Sequence, residues 1–256
     1  ETQRQRPVVP VTPLPAFKPP GDSPSGLIEA NPLAPNGAGL TVTKTDAGLS
    51  ATGFVGVDIT GFTGAGVQIT EHVTQLVVFG SFVGNHSGIL VESGNQRVSI
   101  SGLIYGNWDG VYVEPGNQHL DIVGSEILLN IDDGIDLRGG STFAYDNLIF
   151  DNSGDGINVS GTSTGSNTFV ENIIGLPDRL HQANPVTTLV AGNKGAGIAI
   201  RNGSSRNIIA RNTIVGSSGS GVLLTGEGTD HNVVEANWIG VVLAASGVDE
   251  NLNFTG

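Results

Sequence analysis

Three aspartates, Asp109, Asp133 and Asp155, each stand directly before a glycine, 24 and 22 residues apart. Two residues beyond those glycines lie Tyr112, Asp136 and Asn158. Two further on come Glu114, Arg138 and Ser160, with Arg201 at the matching place after Gly197. A phenol, several carboxylates and a guanidinium on one face are groups that bind polar ligands and move protons, and grouped carboxylates also hold divalent cations. Tyr112, Asp136 and Arg138 are therefore the candidate catalytic residues, with Tyr112 or Arg138 as the base. A second pattern, "DNSGDG" from Asp151 to Gly156, resembles the first half of a calcium loop and makes Asp133, Asp151 and Asp155 candidate metal ligands. The distal Glu of a helix–loop–helix site is missing. No cofactor is demanded; Ca2+ is the one these residues could take. Each pattern also has a plainer reading. Asp-Gly is a common turn dipeptide, and a solvated sheet face must carry polar columns.

The elements that must position these residues are written in a repeat. A glycine followed by apolar-x-apolar recurs at Gly39, Gly66, Gly88, Gly110, Gly134, Gly156, Gly197 and Gly221. Successive spacings are 27, 22, 22, 24, 22, 41 and 24, so one unit is 22–24 residues and the longer intervals carry insertions. Asn85, Asn107, Asn130, Asn152 and Asn193 precede the glycine by three or four residues. A second short strand sits between copies, as in "VSIS" (98–101) and "NLIF" (147–150). The period of two is strand and not helix. A unit this thin cannot bury its own apolar side, whereas stacked coils can. The expected inward residues are Val67, Ile69, Ile89, Val91, Val111, Val113, Ile135, Leu137, Ile157, Val159, Ile198, Ile200, Val222 and Leu224. Gln68, Leu90, Tyr112, Asp136, Asn158, Ala199 and Leu223 are expected outward. The glycines are expected to supply corners with positive φ, and the asparagines a ladder of side-chain amides.

With this repeat the chain resembles the right-handed parallel β-helix repeat proteins, the pectate-lyase-like superfamily, over about residues 39–256. The resemblance implies an all-β solenoid of about ten coils at ~4.8 Å per coil. Many proteins of that superfamily act on acidic polysaccharides as lyases, hydrolases or epimerases. The resemblance thus implies acid/base work at C5 of a uronate, with Tyr112, Asp136 and Arg138 as its residues. Neither the epimerase run tyrosine–glycine–aspartate–proline–histidine–glutamate nor the lyase run tryptophan–isoleucine–aspartate–histidine is present; "NWDGVYVEPGNQH" is a loose echo of the first. Trp108 and Trp238 suit sugar platforms or, more commonly, packing at a corner.

Composition and charge set the remaining bounds. The 256 residues carry a net charge of -13, with 39 Gly and no Cys, which excludes a disulfide framework and argues against nucleic acid as a partner. No apolar run reaches the ~18 residues of a membrane span. Nine of the 12 prolines fall within the first 35 residues. Arg4, Arg6 and Lys18 against Glu1 give residues 1–20 a net +2, so the remainder carries -15. Two parts are expected: an extended Pro-rich arm over 1–36 and a β-helix domain over 37–256. The opening at Glu1 and the absence of Met read as a processed, exported protein, at the cell surface or beyond it. The last residues, Asn253-Phe254-Thr255-Gly256, match Asn85-His86-Ser87-Gly88, as though the next strand comes from elsewhere. The arm residues Pro7, Val8, Val9, Pro10, Val11, Pro13, Leu14 and Pro15 are candidate donors of that strand, meeting Asn253, Phe254 and Gly256 of a neighbour. Two functions follow. One is a structural, self-assembling extracellular fibre or adhesin-like subunit joined head to tail, a homopolymer; it is favoured by the lack of a catalytic signature. The other is a lyase, epimerase or binding module for acidic polysaccharide.

Overall fold

A computed structural model describes residues 37–43, 53–162, 164–175 and 192–240. The Pro-rich arm, the interaction candidates Pro7 to Pro15 and Asn253, Phe254 and Gly256 lie outside them.

The described residues form 21 strands and no helix. Eight of them stack in one parallel sheet: Leu40–Val42, Val67–Ile69, Ser87–Val91, Asp109–Val113, Ile135–Leu137, Ile157–Ser160, Ile198–Arg201 and Val222–Thr225. The Gly-apolar-x-apolar copies are thus successive rungs, in the register the repeat requires: Ile89 pairs with Val111, Val111 with Ile135, Ile135 with Ile157 and Ile157 with Ile198. Eight rungs make about seven turns among the described residues, against the ten expected over residues 39–256. A 13-stranded second sheet closes the other sides. Its early strands, such as Thr74–Val83 and Gln96–Tyr105, run unbroken across two sides, and its later ones split into two short strands per coil.

Every expected inward residue from Val67 to Ile200 is fully buried. They meet Val78, Ile100 and Ile122 from one side and Phe82, Ile104 and Ile127 from another. Each such side chain contributes ~1.5–3 kcal/mol. The expectation fails on the last described rung. Leu224 is 44% exposed and Val222 half-buried, because no described strand stacks beyond them.

The corners differ from expectation in a more instructive way. The repeat glycines do not have positive φ. They are needed because neighbouring rungs come too close for a Cβ. One added at Gly134 would lie 2.6 Å from the Gly156 carbonyl oxygen, and one at Gly156 2.6 Å from that of Gly197. Left-handed backbone occurs instead just before the buried asparagines. Some of those positions are glycine (Gly84, Gly106), but Leu129, Asp146, Glu171 and Arg211 adopt it too. The asparagines explain this. Asn107 N–H donates to Asn130 Oδ1 (2.9 Å), Asn130 N–H to Asn152 Oδ1 (3.1 Å) and Asn152 N–H to Asn193 Oδ1 (3.1 Å). Each Nδ2 donates to that same oxygen, at 3.2 Å from Asn107 and 2.8 Å from Asn130. Similar ladders run through Asn147, Asn172, Asn212 and Asn237, and through Asn167, Asn207 and Asn232.

Candidate functional site

The eight-stranded sheet carries the candidate residues on its outer face. Parallel register places Tyr112, Asp136 and Asn158 in one column, and Leu137 opposite Val159 puts Arg138 beside Ser160. Asp109, Asp133 and Asp155 form a second column at the preceding corner. There each carboxylate takes an N–H from the next coil: Asp133 N–H to Asp109 Oδ1 at 3.3 Å, Asp155 N–H to Asp133 Oδ1 at 2.6 Å, and Ala196 N–H to Asp155 Oδ1 at 2.6 Å. The Asp-Gly repeat therefore has a structural role, as the plainer reading holds.

That role uses one oxygen per carboxylate. The others are treated unequally. Arg201 pairs with Asp155 Oδ2 and also donates to Asn158 Oδ1 at 2.8 Å. Arg138 donates from Nε (3.0 Å) and Nη2 (2.7 Å) to Asp136 Oδ2, and Asn158 Nδ2 donates to Asp136 Oδ1 at 3.3 Å. Asp109 and Asp133 have no ion pair among the described residues. One oxygen each from Asp109, Asp133 and Asp136 lies within 4.8 Å of the other two.

Burial and mutual repulsion raise the affinity of this group for protons. Burial, then the charges of Asp136 and Asp132, push Asp109 up to about 6. Burial, with Asp155, Asp132 and Asp136 close by, pushes Asp133 up to about 7, although the N–H of Asp155 works the other way. Asp136 is raised by burial against the pull of Arg138. Tyr112 is raised by burial and then by the Asp136 charge, so its phenol stays protonated. The face thus holds carboxyls that gain and lose protons closer to neutral pH than an ordinary carboxylate, beside a phenol and a guanidinium.

Sequence placed Tyr112, Asp136 and Arg138 together, and the structure brings them together. It expected Asp136 and Asn158 on a solvated face, yet both are buried, as is Ala199. The side chains of Arg138 and Arg201 hydrogen-bond to Asp136 and Asn158 and help cover them. Of the metal candidates, Asp133 joins the group of three. Asp155 is occupied by Arg201, and Asp151 sits at a left-handed corner before Asn152. Asp109 and Asp136 complete the group, and neither was among the sequence candidates for a metal; the signal for Asp109 is the Asp-Gly dipeptide one coil earlier. Ca2+ takes about six to eight oxygens, so the three carboxylates would supply part of its shell, with water or ligand oxygens completing it.

Comparison with known proteins bears on this face. Residues 28–174 match the family model described as "right handed beta helix region". No curated protein matches the chain. Among solved structures it is similar to the A-module of mannuronan C-5 epimerase AlgE6 from Azotobacter vinelandii. That match has 16% identity and a TM-score of 0.55, over 78% of this chain and 54% of the other. A pectate lyase, Pel9A, matches at 17% identity and a TM-score of 0.35, over 69% and 53%. The chain spans about half the length of each. At these identities the likeness is one of fold. No helix among the described residues is long and apolar enough to cross a membrane.

Proposed function

The chain belongs to the right-handed β-helix family, and from that premise we propose that it acts on an acidic polysaccharide, outside the cell, as a lyase or epimerase of uronate residues. The observation that carries this reading is the group Asp109–Asp133–Asp136, in which Asp109 and Asp133 have no ion pair among the described residues, set beside Tyr112 and Arg138. The fold relationship to a polysaccharide epimerase supports it. The fibre reading rests on residues 1–36 and 253–256, so the described geometry gives it no support.

The chemistry is removal of the proton at C5. The C5–H bond breaks and its electron pair spreads into the substrate carboxylate. Return of a proton to the opposite side of C5 gives the epimer. Expulsion of the O4 substituent with formation of a C4–C5 double bond gives the lyase product. Charge building on the carboxylate must be met by positive or hydrogen-bond-donating groups. Arg138 keeps its charge through Asp136 and is 40% exposed, so it serves as the cation facing that carboxylate and not as the base. A carboxyl that binds its proton near neutral pH is suited to exchange it with substrate, which fits Asp133 and Asp109. Tyr112 is the protonated donor next to them. Ca2+, when bound, would supply positive charge to the same acidic group.

The test is a screen of polymannuronate, polyguluronate and polygalacturonate, with Ca2+ and with chelator. It reads unsaturated product by ultraviolet absorbance and epimerised product by NMR. Tyr112→Phe should lower kcat ~100-fold or more with binding retained. Arg138→Ala should lower kcat as well as raise KM, because the substrate carboxylate loses the cation that meets its growing charge. Absence of both turnover and binding on every uronate polymer, in either condition, overturns the reading.

A further inference from the structure

Beside the acidic column runs a rim whose residues are joined rung to rung. Trp108 N–H donates to His86 O (2.8 Å), Asp132 N–H to Trp108 O (2.8 Å), Gly154 N–H to Asp132 O (2.8 Å) and Gly195 N–H to Gly154 O (2.7 Å). The rim is therefore tall at His86 and Trp108, carries a carboxylate at Asp132, and is bare over Gly154 and Gly195. Bareness there is enforced, since a Cβ on Gly154 would meet the buried Asp133 carboxylate and, at 2.8 Å, the backbone carbonyl carbon of Asp132.

Trp108 does not pack into a corner. It is 48% exposed, although its backbone is fixed on both sides. Its ring lies nearly parallel to that of His86, with centroids 6.2 Å apart and an interplanar angle of 10°. One ring face is backed by His86. On the next rung the matching position is Asp132, whose N–H donates to the Trp108 carbonyl. A rigid aromatic with one wet face loses little entropy on binding and offers a flat apolar surface to the C–H face of a sugar ring. Asp109 follows Trp108 directly in the chain, so this surface borders the acidic group.

We propose that Trp108, backed by His86, is a stacking subsite that seats the sugar residue adjoining the one held over Asp109, Asp133 and Asp136. The inference rests on the polysaccharide reading of that site and adds a positioning residue to it. Rungs repeat at ~4.8 Å, close to the advance of one glycosyl unit. A sugar seated on Trp108 therefore lies within one residue's reach of the carboxyls on the next rung. Trp108 fixes which residue meets the carboxyls and in which direction the polymer lies.

The experiment uses a Trp238→Phe background, which leaves Trp108 as the one tryptophan, since the chain has two. Its fluorescence is titrated with defined oligouronates, and steady-state kinetics are run on Trp108→Ala and Trp108→Phe. Oligomer binding should quench or shift the emission. Trp108→Ala should raise KM for oligomers about tenfold, the scale of one lost stack, with kcat changed far less. Trp108→Phe should restore most of the loss. If turnover is present and Trp108→Ala leaves KM and product pattern unchanged, the subsite is wrong and the acid/base reading stands. If oligouronates shift the emission and no substrate turns over, the subsite stands and the acid/base reading falls. No response of the emission to any oligouronate overturns the subsite.

Discussion

Two columns of side chains run along the same solenoid and solve the same local problem with different atoms. Inside the coil corners, Asn107, Asn130 and Asn152 accept a backbone N–H through Oδ1. On the outer corner, Asp109, Asp133 and Asp155 accept one through Oδ1 as well. An amide has a second end that donates, so each Asn passes a hydrogen bond to the next rung and the ladder closes. An ionised carboxylate can only accept. Its second oxygen must find a cation or a proton, or go without. Asp155 finds Arg201, whereas Asp109 and Asp133 find no ion pair among the described residues and are pushed up to about 6 and 7. Of the three acidic rungs, those of Asp109 and Asp133 keep a carboxylate oxygen without an ion pair among the described residues.

The largest test of this contrast puts an acid into the amide ladder. Asn130→Asp keeps the acceptor for Asn107 but turns a second oxygen against Asn152 Oδ1. Chemical denaturation at pH 8 should show a loss of ~3–5 kcal/mol. Part of it should return at pH 4, where a protonated carboxyl can donate to Asn152. Equal loss at both pH values would mean that shape, not donor loss, is what the ladder detects.

The reverse exchange, Asp133→Asn, should have the opposite sign. A carboxyl whose folded value of about 7 lies above its ordinary 3.8 binds more protons folded than unfolded between those limits. Its stabilisation is complete below about pH 4 and is lost as pH rises through about 7. The variant should therefore gain ~2–4 kcal/mol at pH 8 and nothing at pH 4, while losing turnover. Thermal melts across that range read the difference, and an unchanged pH profile would remove the claim that Asp133 is strained by its charge.

The smallest effect concerns the corner that feeds the ladder. Leu129 holds φ of 54° directly before Asn130. Leu129→Gly should relieve ~1 kcal/mol of left-handed strain, seen as a small rise in the denaturation midpoint. Destabilisation would show that the exposed Leu side chain contributes more than its backbone costs.

These particulars also show what a sequence can carry. Strand positions such as Ile89, Val111 and Ile135 were legible because a two-residue period in a 22–24-residue repeat admits one burial pattern. The ladder through Asn85 to Asn193 was legible for the same reason. Those through Asn147, Asn172 and Asn212 were not, because the second sheet varies its strand lengths and hides the period. The reason for the repeat glycines was missed, since close approach between rungs more than 20 residues apart leaves no local mark. Positive φ at Leu129 and Glu171 has no residue signature; the following asparagine imposes it. At the site, column membership was readable, but the burial of Asp136 was not. It depends on Arg138 folding back across it, a rotamer choice that spacing does not encode.

Each interior rung presents the same oxygen to one neighbour and the same amide N–H to the other, even across the 41-residue interval between Asn152 and Asn193. Cutting out or copying one whole repeat would rejoin like with like. A lineage can thus shorten or extend this molecule by simple duplication, in whole-coil increments, and let sequence drift afterwards decide which copies acquire chemistry.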